Sequence, residues 1–158
     1  MAHLRHHDFP SPLLDWSRSP YVAAFFATRA PAEHDEDAAV FCFMEYYGAA
    51  KICGRNEPHI VGVGPNVVTT SRHFRQQSEY TICRVLRDGG YVYANHEDVF
   101  QKGESDQDVL TKYRIPASQR EHFLRRLNLM NINAFSLFDS EESLMETLAY
   151  RAIKARCL

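Results

Sequence analysis

Glu79-Tyr80-Thr81-Ile82-Cys83-Arg84-Val85 is a run of β-branched and aromatic residues that suits a pleated, half-buried surface. Asp88-Gly89-Gly90 follows as a turn signal. A strand is therefore predicted over 79–85. Upstream, Val40-Phe41-Cys42-Phe43-Met44 is a continuous apolar run bounded by charge, which predicts a strand buried on both faces and placed in the same sheet. Between the two, Gly48, Gly54, Pro58, Gly62, Gly64 and Pro65 break the chain repeatedly. Loops around a short strand near Ile60-Val61 are expected there. Downstream, Val109 to Ile115 alternates imperfectly and stops at Pro116, as a strand leading into a helix would.

Helices flank these strands. Ser19-Pro20 is a helix start, because Ser caps well and Pro at the first position gives up only an N–H that would be unpaired anyway. Val22, Ala23, Phe25 and Phe26 follow at helical spacing, with both phenylalanines expected in the core, and Pro31 stops the run. Ala32 to Asp37 is acidic and reads as a solvated loop. Ser118 to Leu129 places Phe123, Leu124 and Leu127 opposite its arginines. Asp139 to Arg156 begins with Asp139 and Glu142 at capping-box spacing and carries a stripe of Met145, Leu148, Ala149 and Ala152. His3 to Trp16, with Pro10 and Pro12, lacks a period and reads as an extended, loop-like entry. Together these predict one α+β domain over 1–158, a mixed or antiparallel sheet with flanking helices.

Composition sets outer limits. The chain has 158 residues, enough for a core without metals or disulfides. With 45% hydrophobic and 24% charged residues it is neither a disordered tail nor a coiled coil. A net charge of −2 gives no global attraction to nucleic acid or acidic membrane. Its apolar runs are too short to span a bilayer, and Met1 to Arg5 has no apolar leader, so no membrane partner is expected. Cys42, Cys53, Cys83 and Cys157 show no C-x-x-C spacing; Cys42 and Cys83 read as small core residues, and free thiols point to the cytoplasm.

Leu13-Leu14-Asp15-Trp16-Ser17-Arg18-Ser19-Pro20, continuing through Ala23 and Phe26-Ala27, resembles the signature of the FRG domain family. His6 and the Pro10-Ser11 pair fit the segment that precedes it, whereas Asp8 and Pro12 depart from the family's Gly and Arg. Arg72-His73-Phe74-Arg75-Gln76-Gln77-Ser78-Glu79-Tyr80-Thr81 is similar to a second family block, with Ser78 at a Gly position and Tyr80 at a Phe position. A weaker third likeness runs from Tyr113 to Asp139. The aromatic-Arg-Gly motif that names the family is absent, and the chain begins about where that segment should end. Either a longer protein is expected or a short form lacking that first strand.

The resemblance implies an ADP-ribosyltransferase-like core. Trp16-Ser17-Arg18-Ser19 with Ala23 and Phe26 resembles one element of those enzymes, and Gln77-Ser78-Glu79 another. It implies NAD as the nucleotide ligand, no metal, and a nucleic-acid or protein acceptor in a bacterial toxin or phage-defence setting. Glu79 would stabilise charge on the ribose and Ser17 would orient that carboxylate. His6, Asp15, Trp16, Arg72, Gln76, Gln77 and Tyr80 would hold the dinucleotide, between the Asp15–Ser19 turn and the Gln76–Tyr80 strand. An Arg pairs well with a pyrophosphate and an aromatic ring with nicotinamide.

Plainer readings stand beside these. Trp16 serves equally as a core anchor with its indole N–H satisfied, and Asp15 as a helix-entry hydrogen-bond hub. Arg72, Arg75, Arg84 and Arg87 form either a solvated face or a phosphate-binding patch. Two other functions are open on the sequence: a non-catalytic nucleic-acid or protein-binding module, and a metal-dependent nuclease built on Asp15, His6 and Glu79.

Overall fold

A computed structural model describes residues 11–29, 36–48, 50–64 and 71–154. Six strands run as β1 (Leu13–Ser17), β2 (Ala38–Tyr46), β3 (His59–Gly62), β4 (Ser78–Arg87), β5 (Gly90–Tyr93) and β6 (Gln107–Ile115). The helices are α1 (Pro20–Arg29), α2 (Ser71–Arg75), α3 (Glu97–Phe100), α4 (Arg120–Leu129), α5 (Ala134–Phe138) and α6 (Glu141–Ala149). A 3-10 turn (Ala117–Gln119) leads into α4, and α6 continues as a π-helical turn (Tyr150–Lys154). The chain is α+β, as expected. Among the described residues no helix is long and apolar enough to cross a membrane.

Strand β4 is the hub of one sheet. It pairs with β1, β3 and β5. The β3–β4 and β4–β5 pairings are antiparallel, with Ile60 opposite Cys83 and Val85 opposite Val92. The β4–β5 connection is a two-residue loop, since Arg87 pairs with Gly90. Asp88 (φ 49°) and Gly89 (φ 81°) both take the left-handed conformation that a tight, right-twisting hairpin requires. The Asp88-Gly89 turn signal is thereby explained.

Strand β2 corrects two expectations. It pairs with β6 in a two-stranded sheet of its own and not with β4. Nor is it buried on both faces: Phe41 is 47% exposed and Cys42 is exposed. An apolar run fixes the tendency to extend, but its partner is chosen by long-range packing, and a two-stranded ribbon cannot cover both of its faces. The N-terminal segment is corrected too, because Leu13–Ser17 is a strand and not loop.

The chain folds as two compact units, each assembled from three segments. The first comprises Met1–Trp16, Phe41–Asn66 and Glu79–Thr111, and the second Ser17–Val40, Val67–Ser78 and Lys112–Leu158. Ile60, Cys83 and Val99 form the buried centre of the first, with Phe43, Ala94 and Phe100 packed around them. In the second, Val22, Ala24 and Phe25 of α1 bury against Ile115, Leu127, Ala134 and Leu137. Phe25 is core as expected, whereas Phe26 is 41% exposed and lies edge-on to Phe25 and Phe138. Adjacent helical positions are about 100° apart, so one buried stripe cannot hold both rings.

The C-terminal helices also differ from expectation. Phe123 of α4 is exposed, while Leu127 is buried. Asp139 is not a cap for α6; it closes α5 in the left-handed conformation (φ 55°). Ser140 caps α6 in a box with Ser143, and Asn133 caps α5 the same way with Ser136. The supposed apolar stripe of α6 faces outward, with Met145 and Leu148 exposed, and Ser143 and Thr147 are buried instead. Thr147 explains the choice of face. Its hydroxyl donates to the Ser143 carbonyl at 2.8 Å and accepts from Phe135 N–H at 3.0 Å, so a small polar residue packs there fully satisfied.

Candidate functional site

Residues of the two FRG-like sequence blocks, some sixty positions apart, are hydrogen-bonded together. In the second unit the Ser17 hydroxyl donates to the Gln76 carbonyl at 2.7 Å, and Arg18 N–H donates to the Gln77 carbonyl at 3.0 Å. Ser17 Oγ also accepts from Ser19 N–H at 3.2 Å, which tightens the entry to α1. Gln76 is buried, and its amide donates to the Leu137 carbonyl at 3.2 Å. Gln77 adopts φ 49°, a conformation uncommon outside glycine and asparagine and held here by its surroundings.

Arg72 and Arg75 belong to the same unit and are engaged. The Arg72 guanidinium lies 4.6 Å from the centre of the Phe138 ring, and so does that of Arg29. Arg75 pairs with Asp139 at 2.8 Å. Arg29 forms a two-pronged bond to Glu146 at 2.8 and 2.6 Å.

In the first unit, β1 and β4 bring Trp16 to Thr81. The indole N–H donates to the Thr81 hydroxyl at 2.9 Å, and that hydroxyl stands 3.0 Å from His96 Nε2. An indole can only donate, so the hydroxyl accepts from Trp16 and keeps both a proton and a lone pair with which to bond the imidazole. Burial holds the His96 pKa below its ordinary value, which favours the neutral ring. Trp16 stacks on Phe43 at 5.3 Å, and Phe43 meets Phe100 edge-on at 5.7 Å. This is the core-anchor reading of Trp16, with a hydroxyl in place of a carbonyl as the acceptor.

Glu79 and Tyr80 begin the part of β4 that lies in this unit. Tyr80 is buried and its carbonyl accepts from Val63 N–H at 2.8 Å. The Glu79 carboxylate lies over Gly64: a Cβ built there would stand 3.3 Å from Oε2. Asp15 is exposed on β1. His6 lies outside the described residues. Among those residues no group of three or more His, Cys, Asp or Glu side chains could hold a metal ion.

Three polar residues escaped sequence reasoning. Thr81 and His96 carry no spacing signal; each is an ordinary residue that matters only because β4 and the start of α3 meet Trp16. The third is Lys51, whose ammonium binds the buried Asp108 carboxylate and the Ile60 carbonyl. Burial outweighs the nearby ammonium and holds the Asp108 pKa above the usual carboxylate range.

No curated protein and no solved structure matches the chain. One family model does, the FRG domain, over residues 1–36. Those residues include the whole Leu13–Ala27 stretch, so the resemblance read from it is borne out there: residues 1–36 are similar to the FRG domain.

Proposed function

We propose that this FRG-type chain binds a nicotinamide dinucleotide and handles it as an ADP-ribosyltransferase does. The observation that carries this reading is the setting of Glu79, a carboxylate at the start of a central strand with bare glycine backbone beneath it. Gly64 lets the carboxylate lie close against the backbone, and a side chain at position 64 would crowd that carboxylate. The bond between ribose and nicotinamide breaks with its electron pair leaving on nicotinamide. Glu79 stabilises the positive charge that develops on the ribose, and an acceptor nucleophile then adds at the anomeric carbon and gives up its proton. Trp16, fixed by Thr81 and Phe43, steadies the strand that carries Glu79. The acceptor is a nucleic acid or a protein, in the cytoplasmic toxin or phage-defence setting that the family likeness suggests.

The test is nicotinamide release from NAD, followed over time. Glu79→Gln should abolish most of the release while leaving NAD affinity nearly unchanged, because an interaction made in the transition state is lost from turnover alone. Full release by Glu79→Gln would remove Glu79 from the mechanism.

A further inference from the structure

We infer that the outer face of the β3–β4–β5 sheet is a base-stacking surface for single-stranded nucleic acid. This does not rest on the transferase reading. Side chains alternate along a strand, and Cys83 and Val85 of β4 point into the core with Ile60. Arg84 and Leu86 therefore point the other way. The register sets His59, Arg84 and Tyr93 in one row across the three strands, with Tyr91 opposite Leu86 in the next. Tyr91 is 58% exposed and Tyr93 57%. Two large aromatic rings, two residues apart on one face of an edge strand, are a costly surface to leave to water.

The cation on this face is held in place. Arg84 Nε donates to His59 Nε2 at 3.2 Å, and His59 Nδ1 meets the Glu57 carbonyl at 3.3 Å. The guanidinium is thereby laid over the Tyr91 ring, 4.1 Å from its centre, with the His59 ring edge-on to Tyr91 at 6.0 Å. Guanidinium planes and phenol rings are the two surfaces on which unpaired bases stack, whatever their sequence. Charge agrees with that partner. Arg84 and Arg87 are the charged residues of β4's distal half, and the one carboxylate of these three strands, Glu79, lies at the far end of β4. Asp88 sits in the turn, and nearby Glu57 is paired with Lys102 at 2.7 Å.

The experiment is fluorescence anisotropy with labelled oligo(dT) and oligo(rU) of about a dozen nucleotides, against a duplex of equal length. Both single strands should bind, and the duplex should bind at least about tenfold more weakly. Tyr93→Leu should weaken binding about tenfold, whereas Tyr93→Phe, which keeps the ring, should bind as the native chain does. Arg84→Gln should weaken binding and lower the salt dependence by about one ion. Tyr113→Phe and Tyr113→Leu, on β6, should change nothing. Absence of saturable binding would overturn the inference. So would binding that Tyr93→Leu leaves intact, or capture of duplex as tight as of single strands.

Discussion

Thr81 shows how much one hydroxyl can organise. It accepts from an obligate donor, Trp16, and stands within bonding distance of His96. Burial disfavours the charged imidazole and holds its pKa below the ordinary value. The sign of the pH effect follows. Above the unfolded value of about 6.5, both states hold a neutral ring and folding is unaffected. As pH falls below it, the unfolded chain takes up the proton first, so stability is lost until pH reaches the lower native value. Urea unfolding at about pH 7.5 and about pH 5.5 should show a loss in the native chain that His96→Gln reduces. Equal losses in the two proteins would show that His96 does not titrate in this window. None of this was legible in the sequence. Thr81 read as a strand former and His96 carried no pattern, whereas Trp16 stood out as the only tryptophan.

At the level of elements, the sequence spoke clearly wherever local chemistry decides. Ser19-Pro20 starts α1, Asp88-Gly89 makes a hairpin, and Pro116 ends β6. It misled where a distant partner decides. The apolar run in β2 told that it would extend but not that β6 would be its mate. The stripe of α6 was chosen by hydrophobicity, yet the buried face is the one whose Thr147 satisfies Phe135 N–H. Helix α1 offers a direct check on this distinction. Phe25→Ala should cost about 3–5 kcal/mol, because it empties a buried site among Leu127, Ala134 and Leu137. Phe26→Ala, at a ring that keeps much of its solvent, should cost about 1 kcal/mol. Equal costs in chemical denaturation would mean that the α1 face is wrongly oriented.

At the scale of the whole molecule, the two FRG-like blocks meet through hydrogen bonds that hold the fold, the Trp16 indole N–H to the Thr81 hydroxyl among them. Ser17 donates to a carbonyl, Arg18 bonds through its N–H, and Gln76 is buried on Leu137. Such bonds need small polar side chains and a left-handed Gln77, which explains why the motifs are polar without every member touching a ligand. Arg72 lies over the Phe138 ring and Arg75 pairs with Asp139, while the Glu79 carboxylate lies close against Gly64. Its legibility was partial: Gln-x-Glu spacing marked the carboxylate, but nothing in the sequence paired it with Gly64. The most direct test of the central claim is calorimetric titration of NAD into the chain, repeated with Gly64→Val. Saturable binding by the native chain, weakened at least about tenfold when the larger side chain crowds the Glu79 carboxylate, is the predicted result. Absence of saturable binding at millimolar NAD, or equal binding by both proteins, would contradict it.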